Sequence, residues 1–393
     1  MLHAFDIGVL AVPTTLIFGA VLVAAWRAGC PPPLAWCLAT VKAGIYLVYF
    51  GVLFDGTFTF LDDWTYLERG AALHDAEVTV FNLIDNLPLL LAAGGGDHFA
   101  YYLYNAMAIA WFGEGYYAPV ALNVLASVAV ASVSARLVVA ERLCTVNQAP
   151  LYFAFVLLHP DITAWSTVMN GKDTLVLLLH VLLLTAVSWH LRGRRWSALL
   201  LAAAATIVLL ALRFYVPLMF GLALALAAAL QLRGATRLRL LALATLLLAV
   251  LAWQLGSAGA LFVLDRLRDD MVNPFVGFAH FLLTPIPFNT AANYAFLDLP
   301  AVVHWLLLPA ALLGVWRVHR MGTAFARYLV MYTLVFAALY AIYGELQGPR
   351  HRLQLDFAWA TFQFVGIGVA ARLLRHLARR RAASAAATAG NIA

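Results

Sequence analysis

The chain has 393 residues, 64% hydrophobic and 11% charged, with mean hydropathy +0.87 and a formal net charge of +6. Soluble domains lie nearer half apolar and a quarter charged, so the composition excludes an ordinary soluble domain and predicts an all-α polytopic membrane protein. No stretch is long and polar enough for a separate soluble unit, so residues 1–381 read as one membrane domain, and nothing in the pattern calls for nucleic acid.

The first residues, Met1-Leu-His-Ala-Phe-Asp6, carry no Lys or Arg before the apolar run. A secretory signal needs a basic start and a small-residue cleavage site, so this segment is expected to be a first span. Apolar runs place spans near 6–26, 34–54, 116–135, 149–160, 173–191, 197–212, 214–232, 239–258, 301–316, 327–343 and 354–372, about eleven in all. The connections then fall into two sets. One holds most of the 25 basic residues and only one of the 19 acidic ones, Glu141. The positive-inside rule makes that set cytoplasmic, so the N-terminus is expected outside and the C-terminus inside.

Two large loops then face outward, at about 55–115 and 259–300. The first carries a semi-apolar segment, Phe99 to Gly113, which reads as a helix lying in or dipping into the interface, after a hinge at Gly94-Gly-Gly96. The second holds Asp265, Arg266, Arg268, Asp269 and Asp270, then the Pro-rich Leu283-Thr-Pro-Ile-Pro-Phe288. The tail from Ala382, mostly Ala with Ser and Thr, is expected to be disordered. Cys30, Cys37 and Cys144 fall in no outer loop, so neither a structural disulfide nor a cysteine metal site is expected.

Asp62 and Asp63, in Phe58-Thr-Phe-Leu-Asp-Asp-Trp-Thr-Tyr-Leu67, stand just past the second span. Carboxylates beside lipid are costly and tend to be functional, and a partly desolvated one makes a stronger base for a hydroxyl attacking an activated sugar. The competing reading is a helix N-cap, and one Asp could do each. Adjacent side chains diverge, so the pair need not act together. A divalent cation at Asp62/Asp63 is an open option that no metal-ligand spacing supports.

Arg350, His351 and Arg352 lie in Gln347-Gly-Pro-Arg-His-Arg-Leu353. Gly348 and Pro349 are expected to prevent a regular helix, and an extended backbone would put both guanidinium groups on one side, suited to a phosphate. Lipid headgroups are the alternative partner. Lys172, beside Asp173 at the head of a span, and Arg213, in a hairpin, could each serve an anion or a simple surface pair. Lys42 sits too deep in its span to snorkel and is expected to pair with an acid inside the bundle. His98 could touch a sugar or a metal, although a lone His among aromatics is more often structural. Trp64, Tyr66 and the aromatics Tyr101 to Tyr104 are expected to line a sugar cavity.

The order of these motifs carries a resemblance. Leu61-Asp-Asp-Trp-Thr-Tyr-Leu67 is followed by the aromatic segment ending in Phe112-Gly113, then a span running into Arg136 and Arg142. Leu158-His-Pro160, Gly171-Lys-Asp-Thr174 and Gly348-Pro-Arg-His-Arg-Leu353 complete the series. This resembles the GT-C superfamily of integral membrane glycosyltransferases, especially the bacterial branch akin to protein mannosyltransferases and lipid A aminoarabinose transferases. The resemblance covers about residues 55–370. It differs in having no large soluble domain, Asp63 where a Glu is usual, and an extra N-terminal span. It implies inverting transfer of a sugar from a polyprenyl-phosphate carrier to an envelope glycan, lipid or protein acceptor on the outer face. It also implies Asp62 as the base, with Arg350 and Arg352 on the carrier phosphate. Two other classes fit the topology. A polymerase of lipid-linked repeats would need two cationic sites, such as Arg213/Lys172 and Arg350/Arg352. A lipid-linked sugar flippase would favour internal repeats and mid-membrane polar residues, and no repeat is evident.

Overall fold

The computed structural model describes residues 4–60, 62–94, 98–213, 215–231, 234–257, 273–342 and 348–390. All regular structure among them is helical. Eight helices are long and apolar enough to cross a membrane. Their outward faces carry Trp26, Trp196, Leu200, Ile207 and Leu306, whereas Lys42, Asn123, His180 and Arg352 are buried. Apolar outside and polar inside is the distribution a lipid solvent selects. The protein is a helical membrane protein.

The chain opens with α1 (Ile7–Arg27), whose first turn is closed by the Asp6 carboxylate accepting from Gly8 N at 2.6 Å. Next come α2 (Pro32–Val48), prolonged by a π-turn at Tyr49–Leu53, and α3 (Asp62–Asp75), α4 (Leu87–Gly94) and α5 (Phe99–Phe112). α6 (Tyr117–Ala140) leads into a broken pair, α7 (Ala149–Leu157) and α8 (Pro160–Val168). The span expected at 149–160 is therefore two half-helices. Pro160 cannot continue the α7 hydrogen-bond ladder, and His159 before it is extended, with φ −55° and ψ 125°.

α9 (Asp173–Leu191), α10 (Arg195–Leu212), α11 (Tyr215–Ala229) and α12 (Ala235–Ser257) follow. After them come α13 (Pro274–Leu283), α14 (Asp298–Met321), α15 (Ala324–Ile342), the five-residue α16 (Pro349–Leu353) and α17 (Asp356–Gly390). The hinge glycines Gly95 and Gly96, and Asp265, Arg266, Arg268, Asp269 and Asp270 of the second loop, lie outside the described residues. The segment expected to lie in the interface, α5, is packed against α3 and α6 with Tyr101, Asn105, Ala108 and Ile109 buried. The Ala-rich stretch expected to be disordered continues α17 as far as Gly390, since Ala has the highest helix propensity and nothing there breaks the ladder.

α14 and α17 form the most extensive helix pair, and glycine sets their approach. A Cβ at Gly314 would lie 1.8 Å from the Phe362 carbonyl oxygen, and one at Gly366 would lie 1.8 Å from that of Ala310. Both neighbours are backbone, so a methyl group must push the helices apart. Gly366→Ala is expected to cost about 1–3 kcal/mol, as overpacking does. Thermal unfolding in detergent checks this against Gly368→Ala, whose Cβ would meet only the Arg372 side chain at 4.0 Å. Equal melting temperatures for the two variants would refute the close crossing.

Candidate functional site

The two adjacent acids at the start of α3 part company. Asp63 is buried, at 2% exposure. Its Oδ1 accepts from Thr59 Oγ1 at 2.7 Å and Trp64 N at 3.0 Å, and its Oδ2 accepts from Tyr116 Oη at 2.6 Å. Asn170 Nδ2 donates to the Asp63 carbonyl at 2.9 Å. Asp63 thus fastens the first turn of α3 to α6 and to the α8–α9 connection, and it has no direction left for a substrate. With both of its oxygens engaged, it also makes a poor half of a cation site with Asp62. Because Asp63 points inward, Asp62 points out, and its side chain is 58% exposed. The desolvation expected of Asp62 is therefore not found, while its reach toward bulk space is.

Across from it stands Arg350, 288 positions away in sequence. Its Nη1 lies 3.4 Å from Asp62 Oδ2, a loose pair, while its Nε donates to Asp173 Oδ2 at 2.6 Å. Asp173, at the head of α9, holds a second cation through its other oxygen, with Arg213 Nη2 at 2.5 Å, and Gln354 Nε2 adds a third donor at 3.2 Å. Arg213 also donates from Nη1 to Tyr215 Oη at 2.6 Å and lies 3.0 Å from His351 Nε2. Burial, then the nearby Arg213 guanidinium, holds the His351 pKa well below its usual value, so the ring is neutral and its Nε2 accepts from Arg213. His351 thus supports a cation rather than contributing one. Lys172 Nζ donates to Tyr66 Oη at 2.9 Å and sits 5.3 Å from that ring. Burial, followed by the two guanidinium groups, pulls the Lys172 pKa down to about 6. Burial pushes the Tyr66 hydroxyl up to about 12, so it remains a neutral donor and acceptor.

Asp62, Arg350, Arg213, Lys172, Tyr66 and His351 therefore gather at one end of the bundle around Asp173. Arg352 does not join them. Pro349 takes the first position of a helix rather than preventing one, and helical residues two apart point in nearly opposite directions. The Arg352 side chain is 1% exposed, with Nη2 3.6 Å from Asp161 Oδ2 and Nη1 donating to the Thr284 carbonyl.

Three aromatics also differ from expectation. Tyr101 is fully buried and donates to Asn170 Oδ1 at 2.9 Å, and Tyr104 donates to Asn123 Oδ1 at 3.2 Å, so both hydroxyls brace α5. Trp64 packs on Tyr116, 4.9 Å between centroids, and lines a recess with Phe54 and Gly56 instead of the cation cluster. His98 caps α5 in a left-handed conformation, with Nδ1 2.9 Å from the Leu212 carbonyl, which makes it a clamp on α10. Lys42 is buried as expected, yet its ammonium donates to Thr163 Oγ1 at 3.3 Å rather than to an acid.

A different set of aromatics, Phe60, Trp165 and Tyr294, packs together near the cluster, and the sequence did not single them out as a group. Phe60 stacks on Trp165 at 6.0 Å and 13°, and meets Tyr294 edge-on at 4.6 Å. Tyr294 lies within the electrostatic reach of Arg350 and Asp173. On another flank an apolar groove runs between α4, α5, α9 and α10, lined by Leu90, Phe99, Leu103, Met107, Leu175 and Ile207. Its lining also includes Ala211, two positions before Arg213, and Leu175 lies two positions after Asp173, so the groove opens at the level of the cations.

The arrangement offers one projecting carboxylate, two fixed guanidinium groups, an amine whose pKa burial pulls down to about 6, nearby aromatic rings and an adjoining apolar groove. No protein-family model, no curated protein and no solved structure matches this chain.

Proposed function

We propose that the protein is a glycosyltransferase that moves a sugar from a polyprenyl-phosphate carrier to an envelope glycan, lipid or protein acceptor, with inversion. The observation that carries this reading is the single cluster in which Asp62 faces the Arg350–Asp173–Arg213 network. The carrier phosphate would rest on Arg350, Arg213 and Lys172, and its isoprenoid chain would lie in the groove beside α5 and α10. Arg213 still has a buried Nε–H without a partner, a donor available to an incoming oxygen. Asp62 would take the proton of the acceptor hydroxyl as that oxygen attacks the anomeric carbon and the C1–O bond to the carrier phosphate breaks. Orienting donor and acceptor in this way can lower the barrier by up to about 7–11 kcal/mol. Phe60, Trp165 and Tyr294 would carry the sugar ring between them.

In this reading the eight long helices are joined by the α7–α8 pair, α11 and α12 to make eleven crossings of the bacterial cytoplasmic membrane. The N-terminus is outside, the C-terminus inside and the cluster on the outer face. The polymerase alternative calls for two cationic sites, but Arg213, Lys172 and Arg350 share one. Products of a deletion strain test the assignment: an otherwise intact envelope glycan or lipid lacking one sugar supports the transferase, and single repeats without polymer would replace it with the polymerase. Transport of a labelled lipid-linked sugar that needs neither Asp62 nor an acceptor would replace both with a flippase.

The pH dependence of donor binding follows from Lys172. With Lys172 neutral, the two guanidinium groups and two carboxylates cancel. A bound phosphodiester adds one negative charge and raises the Lys172 pKa above its unliganded value of about 6. Binding therefore takes up a proton. Affinity for a long-chain prenyl phosphodiester should be flat below pH 6 and fall above it, by at most about tenfold per pH unit. A binding titration from pH 5.5 to 8.5 checks this. Lys172→Met should flatten the profile, and an unchanged slope in that variant would remove Lys172 from the anion site.

A further inference from the structure

Beneath the cluster, where α7 gives way to α8, lies a second set of polar groups that the proposed transfer reaction leaves unused. His159, Asp161 and Asp356 are 3%, 4% and 1% exposed, and each offers one donor atom within 4.8 Å of the others. They come from the helix break and, almost two hundred residues later, from the first position of α17. His159 Nε2 lies 2.9 Å from Gln363 Oε1. An amide oxygen only accepts, so Nε2 carries the ring proton and Nδ1 keeps its lone pair. That Nδ1 is buried without a hydrogen-bond partner, and so is Asp356 Oδ2. Two adjacent orphan acceptors deep in a bundle are costly, and they are of the kind a cation satisfies.

We propose that His159, Asp161 and Asp356 bind a divalent first-row transition ion, zinc by the chemistry of the donors. One imidazole and two carboxylates suit zinc, whose ligands stand about 2.0–2.2 Å away, and the three donor atoms already lie within 4.8 Å of one another. Gln363, accepting from the far ring nitrogen, has the position of the group that orients a ligating histidine. Arg352 stands just outside the triad, with Nη2 3.6 Å from Asp161 Oδ2 and Nη1 donating to the Thr284 carbonyl. The competing occupant is one proton shared by Asp161 and Asp356. It neutralises one carboxylate while Arg352 faces the other, and from Asp356 Oδ2 it could also be donated to His159 Nδ1, so metal content decides between the two occupants. Broken helices are natural cation sites in membrane bundles, because the break frees polar groups at depth. Here the ion would tie the α7–α8 break to the head of α17, three residues beyond α16, and so fix the register of the short helix that carries Arg350.

Metal analysis of the detergent-purified full chain tests this without any transfer assay. After zinc loading and gel filtration, about one zinc per chain is expected in the wild type and in Asp62→Asn, and less than about a tenth in His159→Ala or Asp356→Ala. Chelation followed by cobalt(II) should give a visible d–d band in the wild type alone. As a check that does not depend on how the variants fold, adding zinc to chelated wild-type protein should raise its melting temperature, and magnesium should not. Absence of zinc and cobalt from the loaded wild type would overturn the proposal in favour of the shared proton. Full zinc content in a His159→Ala/Asp356→Ala double variant would place the ion elsewhere and overturn it too.

Discussion

Asp62→Asn is expected to lower glycosyl transfer by about 10²–10⁴-fold, the range a positioned general base contributes, while the protein keeps its fold and its affinity for the lipid donor. The contrast between chemistry and stability is the informative part. Asp62 is more than half exposed, and among the described residues its side chain is held by one long pair with Arg350 at 3.4 Å. Exposed pairs of that kind contribute about 0–1 kcal/mol, so melting should barely change. Asp63→Asn should do the reverse. It disturbs a carboxylate that accepts three hydrogen bonds at the start of α3, costing about 1–3 kcal/mol, with chemistry lost only as far as the helix start shifts. Both quantities can be read on one preparation, with turnover of a labelled donor and thermal unfolding measured side by side. Normal turnover in Asp62→Asn would eliminate this residue as the base. A larger loss of turnover in Asp63→Asn than in Asp62→Asn would transfer the role to the buried acid.

The membrane character was legible because it rests on composition and apolar run length, which need no knowledge of packing. The break at Leu158-His-Pro160 sits where a proline forces one, yet the expectation of one span at 149–160 did not anticipate that one helix stops at Leu157 and another begins at Pro160. Periodicity cannot tell a helix that stops from a helix that pauses. Arg350 could be singled out as a cation against the charge bias of its loop. Arg352 was misplaced because an extended backbone was assumed, and one short helical turn is enough to send alternate residues to opposite sides. The second aromatic set was out of reach, since Phe60, Trp165 and Tyr294 belong to three separate segments and nothing local marks them as neighbours. Asp173 was visible beside Lys172, but its part as the acid shared by two arginines depends on bringing α9, α16 and the α10–α11 turn together. The same limit hid Asp356, whose neighbours His159 and Asp161 lie almost two hundred positions earlier in the chain.

Asp173→Asn should be the most destabilising single change at the site and should also abolish transfer. The carboxylate is 2% exposed and is the common counterion of Arg213, at 2.5 Å, and Arg350, at 2.6 Å. Removing its charge leaves Arg213, itself 7% exposed, buried without compensation. Breaking a buried pair from one side typically costs about 3–5 kcal/mol. At roughly 2–4 °C per kcal/mol, that lowers the melting temperature by about 10 °C. Arg350 is less stranded, because it keeps Asp62 and is 18% exposed, so it should swing toward Asp62, tighten the 3.4 Å pair and tie up the proposed base. Two losses would then share one cause, and a double variant separates them. Removing the stranded cation as well, in Asp173→Asn/Arg213→Met, eliminates the buried charge and should recover most of the melting temperature. Transfer should stay lost, because both the phosphate contact of Arg213 and the anchor of Arg350 are gone. Recovery of activity along with stability would mean that the cations around Asp173 serve the fold alone, and the anion site would have to be sought away from α9.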